Sequence, residues 1–478
     1  MISKPNRNAP PTPAHSSPAA PRPGQTVEAE VTGLAHDGAG VGRLLETGYV
    51  LFIPGALPGE RVEAQVEQAG PRSGRASLVR RLTTSPDRVP PEAQNCAVTE
   101  GCGGCSLGHL SYPAQLAFKT RRVTEALQRI ARLPDVPVAP CLAAPLTEGY
   151  RNKMQYVVFA GRSGRAGRLR LGQLAARTHD PVPAEDCRLA TPALRAAAAQ
   201  VSEALTGWSR AFAPETPAVW PRHAVLREAA ATGELMAILV TREDTFPGWD
   251  SLAADLRRRV PSLVSLVQLV NPRPSGPVVA GRRARVAGRA YLVERLGELT
   301  FHLSPESFLQ VNPAQTLRLY EQVRAFAALT GTEDLLDVYC GIGTISLYLA
   351  RSARHVTGIE IVPAAVQDAS ATARLNALAN ASFLSGPAER LLPDLARRGY
   401  HPDVVVLDPP RAGVAAEALA AVAALRPRRI VYVSCDPETL ARDLRRLADS
   451  GYQVQAVQPV DMFPQTSHTE AVAVVTRE

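Results

Sequence analysis

From Pro305 to the C-terminus the chain alternates short apolar runs with longer stretches of helical period. TLRLYEQVRAFAAL leads into DLLDVY, a glycine-rich turn and TISLYLARSA. HVTGIE, PAAVQDASATARLNAL, ASFLSG, DVVVLD, RIVYVS, PETLARDLRRLA and AVAVVT complete the series. Strands held apart by helices of about 10–15 residues cannot close hairpins, and they predict a mostly parallel, doubly wound α/β sheet. That architecture limits where chemistry can occur, because an open α/β sheet binds its ligands beyond the carboxyl ends of its strands.

Upstream of Pro305 the patterns differ, and 478 residues suffice for about three domains. Residues 1–23, rich in Pro, Ala and Ser, hold too little apolar surface to offset the entropy of ordering and predict a disordered tail. Residues 24–85 carry five short runs, VEAEVTGL, GVGRLL, YVLFIPG, RVEAQVEQ and ASLVRRL, punctuated by Gly and Pro, as a small closed β-barrel requires. Within them VLFIPGALPGE, Val50 to Glu60, resembles the TRAM domain, an OB-like RNA-binding barrel. A barrel that only packs on its neighbour is the alternative. Residues 86–304 make a central α/β domain: a cysteine cluster, the helical YPAQLAFKTRRVTEALQRIARL, then strands such as QYVVFA, LMAILV and SLVSLVQLV among Ala-rich helices.

No apolar run approaches the roughly 18 residues of a membrane helix, and the N-terminus lacks the apolar centre of a secretory signal. A cytoplasmic protein with no membrane partner is expected, and nothing calls for an obligate protein partner. The net charge of +8 and the pI near 9.3 suit a polyanion such as RNA. Only Lys4, Lys119 and Lys153 are lysines, so a compositional bias explains the arginine excess as well as function does. Two arginine groups, Arg162, Arg165, Arg168 and Arg170, then Arg282, Arg283, Arg285 and Arg289, read either as solvated faces or as phosphate contacts.

The first βα turn after Pro305 is Asp337-Val-Tyr-Cys-Gly-Ile-Gly-Thr344. Gly341 and Gly343 let backbone approach a ligand, but Ser346 stands where a dinucleotide fingerprint has its third glycine. Glu360 ends the next strand, where a carboxylate can accept from ribose hydroxyls. With Asp337 before the turn, the pattern favours S-adenosylmethionine over a nicotinamide cofactor, and Cys340 reads as packing.

Two later strands end in reactive side chains. Asp408 closes DVVVLD before Pro-Pro-Arg411, and Cys435 closes RIVYVSC before a helix opened by Pro437. A thiol at a helix N-terminus is expected to have a lowered pKa; a buried strand-end cysteine is the plainer reading. A thiolate has a use beside a methyl donor: added to carbon 6 of a pyrimidine, it turns carbon 5 into a nucleophile. A base must then remove the carbon-5 proton. Glu470, in Phe463-Pro-Gln-Thr-Ser-His-Thr-Glu470, can serve, and His468 reads as a structural or orienting group.

DVYCGIGT, GIE, DVVVLDPPRAG, VYVSCDPETLARD and FPQTSHTEAV, with SPESFLQVNPAQT before the first strand, resemble the RNA uracil-5-methyltransferase family in order from Pro305 to the C-terminus. The resemblance implies a C-terminal Rossmann-like methyltransferase domain, 305–478, with Cys435 as nucleophile and Glu470 as proton acceptor. It places Gln310, Tyr339, Gly341, Gly343, Thr344, Glu360 and Asp408 at the methyl donor, with Asp408 near the uracil as well. Thr344 stands where related enzymes often have Asn. Exocyclic-amine methylation is a competing reading of Asp-Pro-Pro, although Arg411 replaces the aromatic residue such enzymes favour. RNA cytosine-5 methylation shares the thiolate logic, and an RNA-binding factor without catalysis is the non-enzymatic alternative.

Seven cysteines, an odd number in so long a chain, exclude a disulfide scaffold. Cys96, Cys102, Cys105 and the distant Cys187 suggest instead a ligated metal, either structural zinc or a [4Fe-4S] cluster. CAVTEGCGGCSLGHLSYPAQLAFK resembles the [4Fe-4S] segment of the family's 23S ribosomal RNA branch, which the tRNA-directed branch generally lacks. That resemblance implies 23S ribosomal RNA as partner, with tRNA as the alternative, and a structural rather than redox role for the cluster.

Overall fold

A computed structural model describes residues 20–90, 93, 94, 96, 98, 101–161, 168–212 and 220–477. Most of the N-terminal tail, with Arg162 and Arg165, lies outside them. The chain forms two compact units, Met1–Ala93 with Ser106–Ser111, and Gln94–Cys105 with Tyr112–Glu478.

The first unit is the expected barrel. Its strands close in the order Thr26–Leu34, Gly40–Leu44, Val50–Ile53, Ser73–Arg81, Arg61–Ala69. Alternate residues, among them Val31, Leu51, Ile53, Val62, Ala64 and Ala76, fill the interior. The bore is narrow enough that a Cβ on Gly42 would sit 2.8 Å from Ile53, and one on Gly74 would sit 2.3 Å from the Gln68 carbonyl. The TRAM-like turn is fastened by the fully buried Glu60, which accepts from Leu57 N–H at 2.9 Å and from Arg88 Nε at 2.6 Å and Nη2 at 2.8 Å.

The second unit contains two seven-stranded sheets. One runs Arg282–Gly288, Leu263–Val270, Leu235–Thr241, His223–Glu228, Lys153–Ala160, Leu169–Leu174, Pro181–Pro183. Helices Pro192–Phe212 and Trp249–Arg259 cover one face through Val201, Leu205, Trp208, Leu252 and Leu256. The other face presents Val225, Ile238, Val267 and Leu269 to the hairpin Leu292–Leu296/Leu299–Leu303 and, through it, to the second sheet.

That second sheet is doubly wound as expected. Its order is Ala381–Ser385, His355–Glu360, Asp334–Val338, Val404–Leu407, Arg429–Ser434, Glu470–Thr476, Gln453–Val460. The first five strands are parallel, and Glu470–Thr476 inserts antiparallel between its neighbours. Both faces are apolar: Leu335, Val406 and Val431 look to one core, and Leu336, Val405, Tyr432 and Ala473 to the other. Part of that second cover comes from far upstream, where helix Tyr112–Ala126 packs Val123 and Ala126 beneath the sheet. Residues 137–142 shield the edge strand through bonds such as Ala139 N–H to Val457 O at 3.0 Å. Among the described residues no helix is long and apolar enough to cross a membrane.

Removing one partner of a buried ion pair strands the other, at a cost of about 3–5 kcal/mol. Glu60→Ala leaves Arg88 in that position, so urea unfolding of the full chain should show the barrel melting well before the rest. Unchanged unfolding would show that the pair does not hold the barrel.

Candidate active site

The antiparallel insertion of the last strand builds the site. Arg429 pairs with Thr476, and the ladder runs step by step to Ser434 opposite Ala471. The next residues out of the ladder are Cys435 on one strand and Glu470 on the other. Glu470 is itself held by pairing with Val460 on its far side. Asp408 follows the adjacent strand Val404–Leu407, so thiol and both carboxyls gather at one sheet edge.

Their fields overlap. Burial pushes the Cys435 thiol up to about 11, with Glu470, Asp408 and Asp436 adding to the rise and Arg411 opposing it. The expected lowering by the helix N-terminus is therefore overturned. The cap is Asp436, whose carboxylate accepts from Thr439 N–H at 2.9 Å and sets a negative charge beside the sulfur. Burial also raises Glu470 to about 7, against Arg411 and Lys119, and raises Asp408 to about 8, reinforced by Glu470. Glu470 is 4% exposed, and its carboxyl makes no hydrogen bond among the described residues. His468, pushed down to about 4 by burial and Arg411, is neutral and accepts from Arg411 Nη2 at 2.9 Å.

The loop leading to Glu470 is strapped by helix Tyr112–Ala126. The fully buried Lys119 pairs with Asp461 and donates to Phe463 O at 3.1 Å. Gln115 Oε1 accepts from Gln465 N–H at 2.9 Å, and Tyr150 donates to Pro464 O at 3.0 Å. Arg122 reaches both halves of the site, donating to Ser467 O at 2.9 Å and to the Glu438 carboxylate at 2.8 and 2.9 Å. Ser467 lies three residues before Glu470, and Glu438 three after Cys435. Asp443, on the helix after Cys435, accepts from Val414 N–H at 2.9 Å and fixes the loop that carries Arg411. None of these was read from the sequence. The available signal was the spacing of Gln115, Lys119 and Arg122, four and then three residues apart, which puts polar groups on one helix face.

The glycine-rich turn lies at the reversal of strand order, where ligands of such sheets bind. Tyr339, Gly341 and Gly343 all take positive φ, at 68°, 56° and 77°. A Cβ on Gly341 would meet nothing within 4 Å, whereas one on Gly343 would crowd Phe383 and Ala369 at 3.0–3.1 Å, so the first glycine opens space and the second packs. Glu360 accepts from Gly341 N–H at 3.0 Å and Val362 N–H at 2.8 Å. Asp337 is fully buried, raised by burial to about 7 and bonded to Ser346, and its Oδ1 has no partner. The buried Gln310 amide makes no hydrogen bond among the described residues. Thr344 Oγ1 already accepts from the Tyr320 hydroxyl at 2.8 Å. Cys340 is buried in packing, as read from the sequence.

A family model described as tRNA (Uracil-5-)-methyltransferase matches residues 232–478, just over half of the chain, and a TRAM domain model matches 22–79. The chain belongs to the RNA (uracil-5-)-methyltransferase family. It is 42% identical over 450 residues to an RNA methyltransferase of Halalkalibacterium halodurans, covering 94% of this chain and 96% of that one. To an RNA methyltransferase of Listeria innocua it is 41% identical over 454 residues, covering 95% and 98%. The crystal structure of Pyrococcus abyssi tRNA (uracil-54, C5)-methyltransferase in complex with S-adenosyl-L-homocysteine superimposes with TM-score 0.70 at 27% identity, over 94% of this chain and 100% of that one. The family is S-adenosylmethionine-dependent, and the crevice fits such a donor: Asp337, just before the turn, keeps a buried carboxylate oxygen without a partner, and a Cβ on Gly341 would meet only open space.

In this RNA (uracil-5-)-methyltransferase the four clustered cysteines share one neighbourhood without closing into a ligand cage. Cys105 is pushed up to about 12 by burial, then by Cys187, Cys102 and Cys96. None of the four is in a disulfide, and no group among the described residues has metal-ligating geometry. Most arginines of the two sequence clusters are already engaged. Arg170 pairs with Glu185, Arg282 with Asp244, Arg283 with Glu306 and Arg289 with Glu234, while Arg285 donates to Gln268.

Glu470 raises the Cys435 thiol and Arg411 lowers it, so opposite substitutions should move its titration oppositely. At pH 8, iodoacetamide labelling of Cys435, read by peptide mass spectrometry, should be several-fold faster in Glu470→Gln and slower in Arg411→Gln. Equal rates would show that neither charge reaches the sulfur.

Proposed function

We propose that the protein methylates carbon 5 of a uridine in 23S ribosomal RNA, in the cytoplasm, with Cys435 as transient covalent nucleophile and Glu470 as the base. The observation that carries this reading is the register that sets Cys435 and Glu470 on adjacent strand ends beside the donor crevice.

In this reading Cys435 loses its proton to water, and the resulting thiolate sulfur bonds carbon 6 of the uracil ring. The carbon 5–carbon 6 π electrons move toward the carbonyl at carbon 4, leaving carbon 5 nucleophilic. S-adenosylmethionine, when bound, would supply the methyl group to carbon 5 as an electrophile, its sulfur keeping the electron pair of the broken bond and leaving as S-adenosylhomocysteine. Glu470, raised by burial to about 7 and so suited to act as a base near neutral pH, takes the proton from carbon 5. The electrons of that bond restore the double bond and expel the Cys435 thiolate. Arg411 supplies the fixed positive charge that opposes the carboxyls around the sulfur. Gln310, Tyr339, Gly341, Gly343, Glu360 and Asp408 hold the donor. Thr344, its hydroxyl engaged by Tyr320, contributes its backbone N–H at the helix N-terminus.

A uridine stacked in an RNA helix cannot reach such a crevice, so the target is flipped out or lies in a loop. We assign the four cysteines to a structural [4Fe-4S] cluster, with zinc as the alternative. The support is a set of four soft donors whose fields already overlap and whose thiols a cation would deprotonate. Residues 86–304 and the TRAM barrel are each assigned RNA contacts of their own.

Cys435→Ala should abolish methyl transfer. Glu470→Gln should accumulate a covalent protein–RNA adduct stable on denaturing gels, and sequencing the trapped RNA from cells should return 23S ribosomal fragments. Trapped tRNA would overturn the substrate assignment, and absence of any adduct would overturn the base. Anaerobically purified protein should contain about four iron and four acid-labile sulfide per chain, lost in Cys105→Ser. Stoichiometric zinc without sulfide would replace the cluster by a zinc site.

A further inference from the structure

The face of the central sheet that turns toward the methyltransferase core changes character along strand His223–Glu228. At Val225 it is apolar and joins that core. Two residues on, Arg227 is buried, and directly opposite it on the neighbouring strand stands Lys153. Arg227 donates to Ser307 O at 2.9 Å, on the loop that carries Gln310, and Asn152 N–H donates to Val311 O on the same loop at 2.9 Å. Arg151 donates its Nε to the Lys153 carbonyl at 3.1 Å, bringing a third cation alongside.

These charges stand in contrast to the arginines elsewhere on this sheet. Among the described residues no carboxylate pairs with Lys153 or Arg151. Glu294, which acts on Arg227, is already taken by the N–H groups of Ala230, Ala231 and Arg295 at 2.7, 3.0 and 2.9 Å. Burial and the two neighbouring cations push Lys153 down to about 8, the response of an ammonium that lacks its counter-ion. Arg151 also acts electrostatically on His468, in the loop that ends at Glu470. Arg151 acts on the Cys105 thiol as well, but Lys153, opposite Arg227 and beside the loop that carries Gln310, has no anionic partner among the described residues and can take an incoming anion.

We propose that Lys153 and Arg151 form a binding site for one backbone phosphate of the substrate RNA, placed beside the loop that carries Gln310. The assignment rests on the reading of the protein as an RNA-modifying enzyme. A lysine suits this position because its ammonium is a compact point charge for a phosphate. The contact steadies the backbone near the target base and carries no sequence information of its own.

The test uses the full-length protein and a 23S ribosomal transcript, with binding measured from 50 to 200 mM salt. Losing one phosphate contact makes the slope of log K against log salt shallower by about 0.7–0.9. Lys153→Gln and Arg151→Gln should therefore lose about threefold less affinity than the wild type across that range. Lys153→Arg should keep the wild-type slope, and so should Arg289→Gln, whose arginine is held by Glu234. A folding defect lowers affinity at every salt concentration without changing the slope. Unchanged slopes in both charge-deleting variants would overturn the proposal. So would a weakened affinity of Lys153→Gln for S-adenosylhomocysteine in the absence of RNA, which would assign the anion to the donor's carboxylate. Methylation of the same transcript by the wild type is scored separately: its failure counts against the ribosomal substrate, while the slopes decide the phosphate site.

Discussion

One strand running against the others makes this active site possible. In a wholly parallel sheet every strand delivers its C-terminal end to the ligand edge and its N-terminal end to the opposite edge. Glu470 begins a strand, and it reaches the ligand edge only because Glu470–Thr476 runs antiparallel between Arg429–Ser434 and Gln453–Val460. The register then matters to the residue: a slip of one position would turn Glu470 to the other face and an apolar neighbour into the site. Dense apolar packing on both sides of the strand, from Val472 to one core and Ala471 and Ala473 to the other, resists that slip.

The electrostatics follow from the same crowding. Asp337, Asp408 and Glu470 all titrate well above an ordinary carboxyl, and burial is the leading cause each time. Each binds its proton more tightly folded than unfolded. The stability they contribute is fully present below about pH 4 and is lost as pH rises through about 7 to 8. As pH rises through 7 to 8 these carboxyls ionise, and the negative charge they then carry favours a positively charged donor. Arg411 is the fixed counterweight, acting on Cys435, Glu470 and His468 together.

Much of this was legible in the sequence, for identifiable reasons. Strand–helix alternation announces a doubly wound sheet, and such a sheet uses its strand ends, so Asp408 and Cys435 stood out without coordinates. The five alternating runs of the barrel were equally plain, because period two survives in short strands. The sign of the Cys435 shift was not legible: a helix N-terminus was visible, but the burial and the carboxyls that outweigh it come from other strands. The strap by Gln115, Lys119 and Arg122 joins positions more than 300 residues apart in the chain, and no local pattern encodes such a contact. The arginine clusters read as solvated faces or phosphate contacts; their carboxylate partners, such as Glu234 for Arg289, lie on separate strands or loops and could not be read from the local sequence.

Helix Tyr112–Ala126 bears on how the molecule can be divided. A fragment beginning at Pro305 would retain nucleophile, base and glycine turn, yet Asp461 would lose both the Lys119 ammonium that answers its charge and the Tyr112 and Cys141 side chains beside it. The catalytic module is therefore discontinuous in the gene: its last-made loop is completed by a segment that leaves the ribosome hundreds of residues earlier and has to wait for it. Grafting or swapping this module between proteins means carrying that early helix along with it.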